Sequence, residues 1–171
     1  PPPANTSAVR WIRDGSPRGI NDRGYITGYH YASTRSPITG AWSTYRQRAT
    51  LWSGRAPTSI DLGVLPLGSE SVATDVNEQF FASGYGDTVT FQPATGAFVR
   101  TTAGFLYHKH FGMVRLPALP FAPPSGECRA TAIGDAAMDG QNSVFLQVAG
   151  TCTNRAGRPH AVRWAVSLDL L

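Results

Sequence analysis

The sequence predicts an all-β chain: a β-propeller-like repeat of about three four-stranded units, with the N- and C-terminal strands closing one unit. Three observations carry this. Short blocks recur along the 171 residues at spacings of about fifty-five. Apolar residues alternate within them, as on strands with one buried face. No segment shows a helical period bounded by caps.

One block reads Ala8-Val9-Arg10-Trp11. It recurs as Ala49-Thr50-Leu51-Trp52, Gly104-Phe105-Leu106-Tyr107 and Ala161-Val162-Arg163-Trp164, with the closing aromatics 41, 55 and 57 apart. Each copy reads as a strand. A second block, Ile60-Asp61-Leu62-Gly63-Val64-Leu65-Pro66, matches Val114–Pro120 at a spacing of 54 and Val166–Leu171 at 52. Its alternating leucines line one strand face.

The third block, Ile20-Asn21-Asp22-Arg23-Gly24 to Gly28-Tyr29, aligns without gaps to Val76-Asn77-Glu78-Gln79-Phe80 to Gly84-Tyr85, 56 residues on. A further copy starts at Ala130 and carries an insertion before Val144–Gly150. An apolar strand, an Asn/Asp/Gly turn and a returning strand make a β-hairpin. The first copy lacks a Leu-rich strand and the last ends on one. Strands from 160–171 are therefore expected to pair with the hairpin at 18–30. Three units are few for a propeller, which leaves tight closure, a pair of chains, or an open or barrel-like relative.

These blocks resemble the HAF family of bacterial extracellular repeats, whose pattern combines an Ala-x-x-Trp strand, an Asp-Leu-Gly-x-Leu strand and Ile-Asn-x-x-Gly-x-x-x-Gly. Residues 20–28 and 60–65 fit best; Gly134-Asp135 and Pro117 depart from it. The resemblance implies secretion and a propeller-like fold. It implies no activity and no catalytic residues.

Composition bounds the rest. Hydrophobic residues make up 42% and charged ones 15%, and the net charge is +4. The 14 arginines are scattered rather than clustered, so no nucleic-acid partner is expected. No apolar run approaches the ~18 residues of a membrane span. The chain begins Pro1-Pro2-Pro3 without Met and reads as a mature or trimmed product. Residues 1–7 are expected to form a flexible N-terminal segment, with Asn5 in a glycosylation sequon, and 8–171 a single β-repeat domain. Cys128 and Cys152 sum to 280, which centres a hairpin on Gly140 within the turn 138–142 and puts the cysteines opposite each other at its open end. A disulfide there implies an oxidising, extracellular compartment.

The chemistry-bearing clusters are weak. His108-Lys109-His110 sets two imidazoles on one strand side, with His30 and His160 as distant third ligands for a metal. The Asn/Asp turns recur in register and offer oxygens to calcium, yet they are also what hairpin turns require. There is no Gly-x-Ser-x-Gly elbow. Among the carboxylates, Asp61 or Asp75 with Glu78 is the pair weighed for glycoside hydrolysis. The repeat is interrupted at 31–47 and at 87–103, and insertions in repeat folds gather on binding faces. Tyr31, Trp42, Tyr45 and Arg46 are the candidate ligand contacts, with the alternative that Trp42 plugs a gap left by a missing strand. The expected function is a secreted, non-catalytic module that binds a carbohydrate, a cell-surface component or a protein partner, and it needs no cofactor. The alternatives are a small secreted hydrolase with a carboxylate or His–metal site, and a structural or assembly domain that forms homo-oligomers.

Overall fold

The fold is given by a computed structural model that describes residues 6, 9–54, 58–92, 95–123, 125–138 and 143–168. The sequon asparagine, most of the N-terminal segment, the turn at 139–142 and the last three residues lie outside these. The described chain is all-β and has no α-helix. Its first sheet runs β1 (Val9–Ile20), β2 (Tyr25–Thr34), β3 (Arg46–Ser53), β4 (Ser59–Gly63), in that spatial order. The second runs β5 (Ser71–Val76), β6 (Ala82–Gln92), β7 (Ala97–His108), β8 (Gly112–Arg115). In the third, β9 (Cys128–Ile133) and the short β10 (Ala137–Met138) both pair with β11 (Val144–Thr153), and β12 (Pro159–Ser167) follows. All pairings are antiparallel.

The repeat is visible in the backbone. An equivalent register shift recurs in each sheet, at Arg18, Thr74 and Thr131, 56 and 57 residues apart. Such bulges are positioned features that bend a strand and sharpen its twist. Opposite each bulge stands a glycine: Gly28, Gly84 or Gly150. A methyl group there would overlap the carbonyl oxygen of Ser16, Val72 or Arg129, so only glycine fits. The Leu-Pro corners also repeat. Gly68 N–H donates to Leu65 O and Ala122 N–H to Leu119 O, with Leu67 and Phe121 both at φ 61°. An L residue in this left-handed region costs roughly 1–2 kcal/mol, and glycine is what a type II turn prefers there.

Two cores lie between the sheets. Ala49, Leu51, Leu62 and Leu65 of the first sheet and its corner pack on Ala73, Val76, Ala82, Ala103 and Phe105 of the second. Leu106, Leu116 and Phe81 then meet Leu146, Val148, Ile133 and Trp164 of the third. Phe105 and Leu146 are wholly buried, and each such side chain contributes about 1.5–3 kcal/mol. The indole of Trp164 donates to Pro117 O at 2.8 Å, so its burial leaves no unpaired donor.

The expected end-to-end closure is not observed. β1 pairs with β2, and β12 pairs with β11. Among the described residues the sheets form an open stack rather than a closed barrel. The sheets are also out of phase with the units expected from the sequence. Trp11 belongs to β1, which merges the Ala-x-x-Trp segment with the inner strand 15–20, so the first sheet is complete and ends on the Leu-rich β4. Val166 and Ser167 extend β12 opposite Leu146 and Phe145 instead of starting a Leu-rich strand. On the outward face of β12 exposed Arg163, flanked by Ala161 and Ala165, stands where Leu51 and Leu106 are buried in the other sheets.

The cysteine arithmetic holds. Cys128 opposes Cys152 across β9 and β11, and the two are joined by a disulfide. The pairs nearest them keep the sum of 280, and beyond the bulge at Thr131 it becomes 281.

Candidate functional site

The strand order gives the stack two unlike ends. At the turn end lie the connections 21–24, 77–81 and 109–111. At the tip end lie the hairpin tips at 35–45, 95–96 and 154–158 and the corners 64–70 and 116–127. The interruptions read at 31–47 and 87–103 are extensions of the central hairpins toward this end: β6 and β7 stay paired from Ala82–Tyr107 out to Gln92–Ala97.

A polar cleft of about 200 Å³ opens at the tip end and draws on all three sheets. Gln47 comes from the first sheet, Tyr85, Asp87 and Thr102 from the second with Glu70 just ahead of it, and Arg129 from the third. The Arg129 guanidinium lies over the Tyr85 ring, 4.6 Å from its centre, a cation–π contact that ties the third sheet to the second. Three arginine–carboxylate pairs edge it. Arg46 reaches Glu70 at 2.9 Å and Arg129 reaches Glu127 at 3.3 Å. Asp87 binds Arg100 and also accepts from the backbone N–H of Ser69 (2.7 Å) and Glu70 (2.6 Å). Such charge-assisted bonds fix the rim in place more firmly than neutral ones.

The predicted contacts are divided. Arg46 lies on the rim through Glu70. Tyr31 opposes Gln47 in the ladder, which puts both on one sheet face, and its ring meets Tyr29 edge-on at 5.5 Å. Tyr45 is exposed at 48%. Trp42 lies apart, half-buried in a bridge with Arg35 and covered by the Arg10 guanidinium at 4.1 Å. It belongs to neither core, and the first sheet has no gap for it to fill. Tyr85, Glu70, Asp87 and Arg129 are not among the contacts expected from the sequence. A signal existed: Glu70 and Glu127 stand one residue ahead of β5 and β9, and Asp14, inside β1, stands one residue ahead of its segment 15–20, at spacings of 56 and 57.

The histidines do not converge. His108 stacks on Phe81 at 4.4 Å and has His110 beside it at 5.0 Å. His160 is exposed on β12. Among the described residues no three His, Cys, Asp or Glu side chains come together. His30 is buried between Trp11 and Trp52, with ring centres at 6.4 and 5.0 Å, and its Nδ1 has no hydrogen-bond partner among the described residues. It borders a second hollow of about 220 Å³ with Pro17, Ile26 and Trp52. Burial lowers its pKa, because a charged imidazole there loses water, and the Asp14 carboxylate offsets this only in part.

The turn acids have structural work to do. Glu78 accepts from Asp22 N–H at 2.7 Å, and Asp135 accepts from Glu78 N–H at 2.8 Å, each across a sheet boundary. Asp75 accepts from Ile133 N–H at 2.9 Å, also between sheets. These bonds account for the recurrence of acidic turns without an ion. Asp61, the other acid weighed for hydrolysis, is held by Arg48 at 2.7 Å. No family model, curated protein or solved structure matches this chain.

Proposed function

We propose that the chain is a non-catalytic, propeller-like repeat module of the HAF kind, acting outside the cell, which binds a carbohydrate in the tip-end cleft. The observation that carries this is the Tyr85–Arg129 stack between Gln47, Thr102, Glu70 and Asp87, contributed by three sheets at once. Sugars are bound by flat rings edged with planar amide, carboxylate and guanidinium groups, whose fixed forks meet paired hydroxyls. The volume is below that of a drug-sized pocket and suits one sugar unit of a longer chain. The disulfide supports an oxidising compartment, and the repeat blocks at residues 20–28 and 60–65 support the HAF reading.

A second reading, a small secreted hydrolase, has one observation in its favour: Glu70 and Asp87 share the cleft. Both are engaged by arginine, which favours a binding role over proton transfer. The third reading, an assembly domain, draws on the outward face of β12.

A glycan array followed by calorimetry tests the proposal. Arg129→Ala and Gln47→Ala should weaken sugar binding at least tenfold while leaving the melting temperature nearly unchanged, and Trp42→Ala should leave binding intact. Binding lost in Trp42→Ala and kept in Arg129→Ala would move the ligand to the outer loops. Release of reducing ends from a bound polysaccharide, abolished in Glu70→Gln, would establish the hydrolase instead.

A further inference from the structure

Six of the nine exposed large hydrophobic side chains among the described residues stand at the tip end: Ile38, Tyr45, Leu67, Phe91, Phe98 and Phe121. Leu67 and Phe121 are 71% and 82% exposed, at equivalent corners, in left-handed backbone. Glycine would hold either corner without strain. A bulky apolar residue placed there twice, and buried by nothing in its own fold, marks an external contact. Phe91 and Phe98 face each other near the end of the longest hairpin, with ring centres 5.2 Å apart and both more than half exposed.

Positive charge is in excess at this end. Among the described residues Glu70, Asp87 and Glu127 are each paired with an arginine, and Asp14, level with Glu70, is exposed and has no arginine partner. Arg10, Arg35, Arg115, Arg155 and Arg158, near the same end, have no acidic partner among the described residues. The apolar groups sit on separate tips and corners, and the arginines stand on strands and tips of the same end. A protein hot spot gathers its anchors into a packed patch. Separate apolar knobs among cations suit a planar, fluid, negatively charged surface.

We propose that the tip end docks on an anionic lipid surface, with Leu67, Phe121 and the Phe91–Phe98 pair entering the interfacial layer and the unpaired arginines meeting headgroup phosphates. The inference stands apart from the ligand of the cleft.

Vesicle co-sedimentation of the full chain tests it, with phosphatidylcholine vesicles and phosphatidylcholine–phosphatidylglycerol vesicles as the two arms. The wild type should sediment with the anionic vesicles and much less with the neutral ones, and added salt should weaken the binding. The double variant Leu67→Gly, Phe121→Gly relieves backbone strain, so it should melt no lower than wild type. It should nevertheless lose about tenfold or more in vesicle affinity, since each buried apolar side chain accounts for about a decade. Equal binding by wild type and the double variant overturns the proposal. So does a wild type that ignores both vesicles; if that protein self-associates in a way the double variant abolishes, the tips are a protein contact.

Discussion

The side-chain amide of Asn21 donates to the backbone carbonyl of Asn77 at 2.9 Å, and the amide of Asn77 in turn donates to the carbonyl of Gly134 at 3.0 Å. The same residue type at the same turn thus joins each sheet to the next. The other half of each side chain shapes its own turn: Asn21 Oδ1 accepts from Tyr25 N–H, and Asn77 Oδ1 accepts from Phe81 and Gln79 N–H. Asn77→Ala removes all of Asn77's share and leaves buried donors unpaired. It should cost about 2–4 kcal/mol, read as a fall in urea midpoint, whereas Asp135→Ala, at an exposed bond, should cost under about 1 kcal/mol.

The repeat glycine should be irreplaceable. At Gly84 an added methyl would meet Val72 O and the Phe105 ring. Gly84→Ala should therefore destabilise by more than about 2 kcal/mol or prevent folding. Gly134 has its nearest neighbour atom at 3.8 Å and does not have a positive φ. Gly134→Ala should stay within about 0.5 kcal/mol of wild type. Thermal melts of the two variants compare them directly.

Reduction should act locally. The disulfide closes a loop with a sequence separation of 24 within the third sheet, and its loss should cost about 3 kcal/mol. Cys128 occupies the place of Ser71, whose hydroxyl accepts from Ala49 N–H at 2.9 Å and donates to Gly63 O, tying the first two sheets together. Hydrogen exchange of the reduced protein should speed up in β9, β11 and β12 well before β5–β7. Uniform acceleration over all strands would show that the sheets unfold as one unit.

Acid should weaken the fold through His30 and His108, whose pKa values burial lowers from the ordinary 6.5. The unfolded chain then takes up these protons more readily than the folded one. Their contribution is complete above the unfolded value and is lost as pH falls through the folded ones. The melting temperature should drop between about pH 7.5 and pH 5, and His30→Phe should flatten that slope.

The hairpins and the disulfide register were legible because local chemistry specifies them: Asn-Asp-x-Gly turns the chain, and paired positions keep a constant sum. The identical tetrapeptides ending at Trp11 and Trp164 misled, because alternation reports which face is buried and not which strand lies alongside. One became part of an inner strand and the other of the last strand in its sheet. The cleft escaped reading because Tyr85 and Arg129 are contributed by different copies, and only the stacking of sheets brings them together. The acids at 14, 70 and 127 recorded that meeting place at repeat spacing, hidden among residues that read as ordinary strand entries.

Arg163 marks one outer face of the array and Arg48 the other. A further layer laid against β12 would cover Phe145 and the exposed Met138, but it would have to dehydrate the Arg163 guanidinium and Gln147 beside them. The opposite flank, with Trp52 and Ile26, sets a like barrier, because His30 and the Arg48–Asp61 pair share that face, and the His30 Nδ1 has no hydrogen-bond partner among the described residues. A fourth copy would therefore need apolar side chains in place of these charges on whichever face receives it.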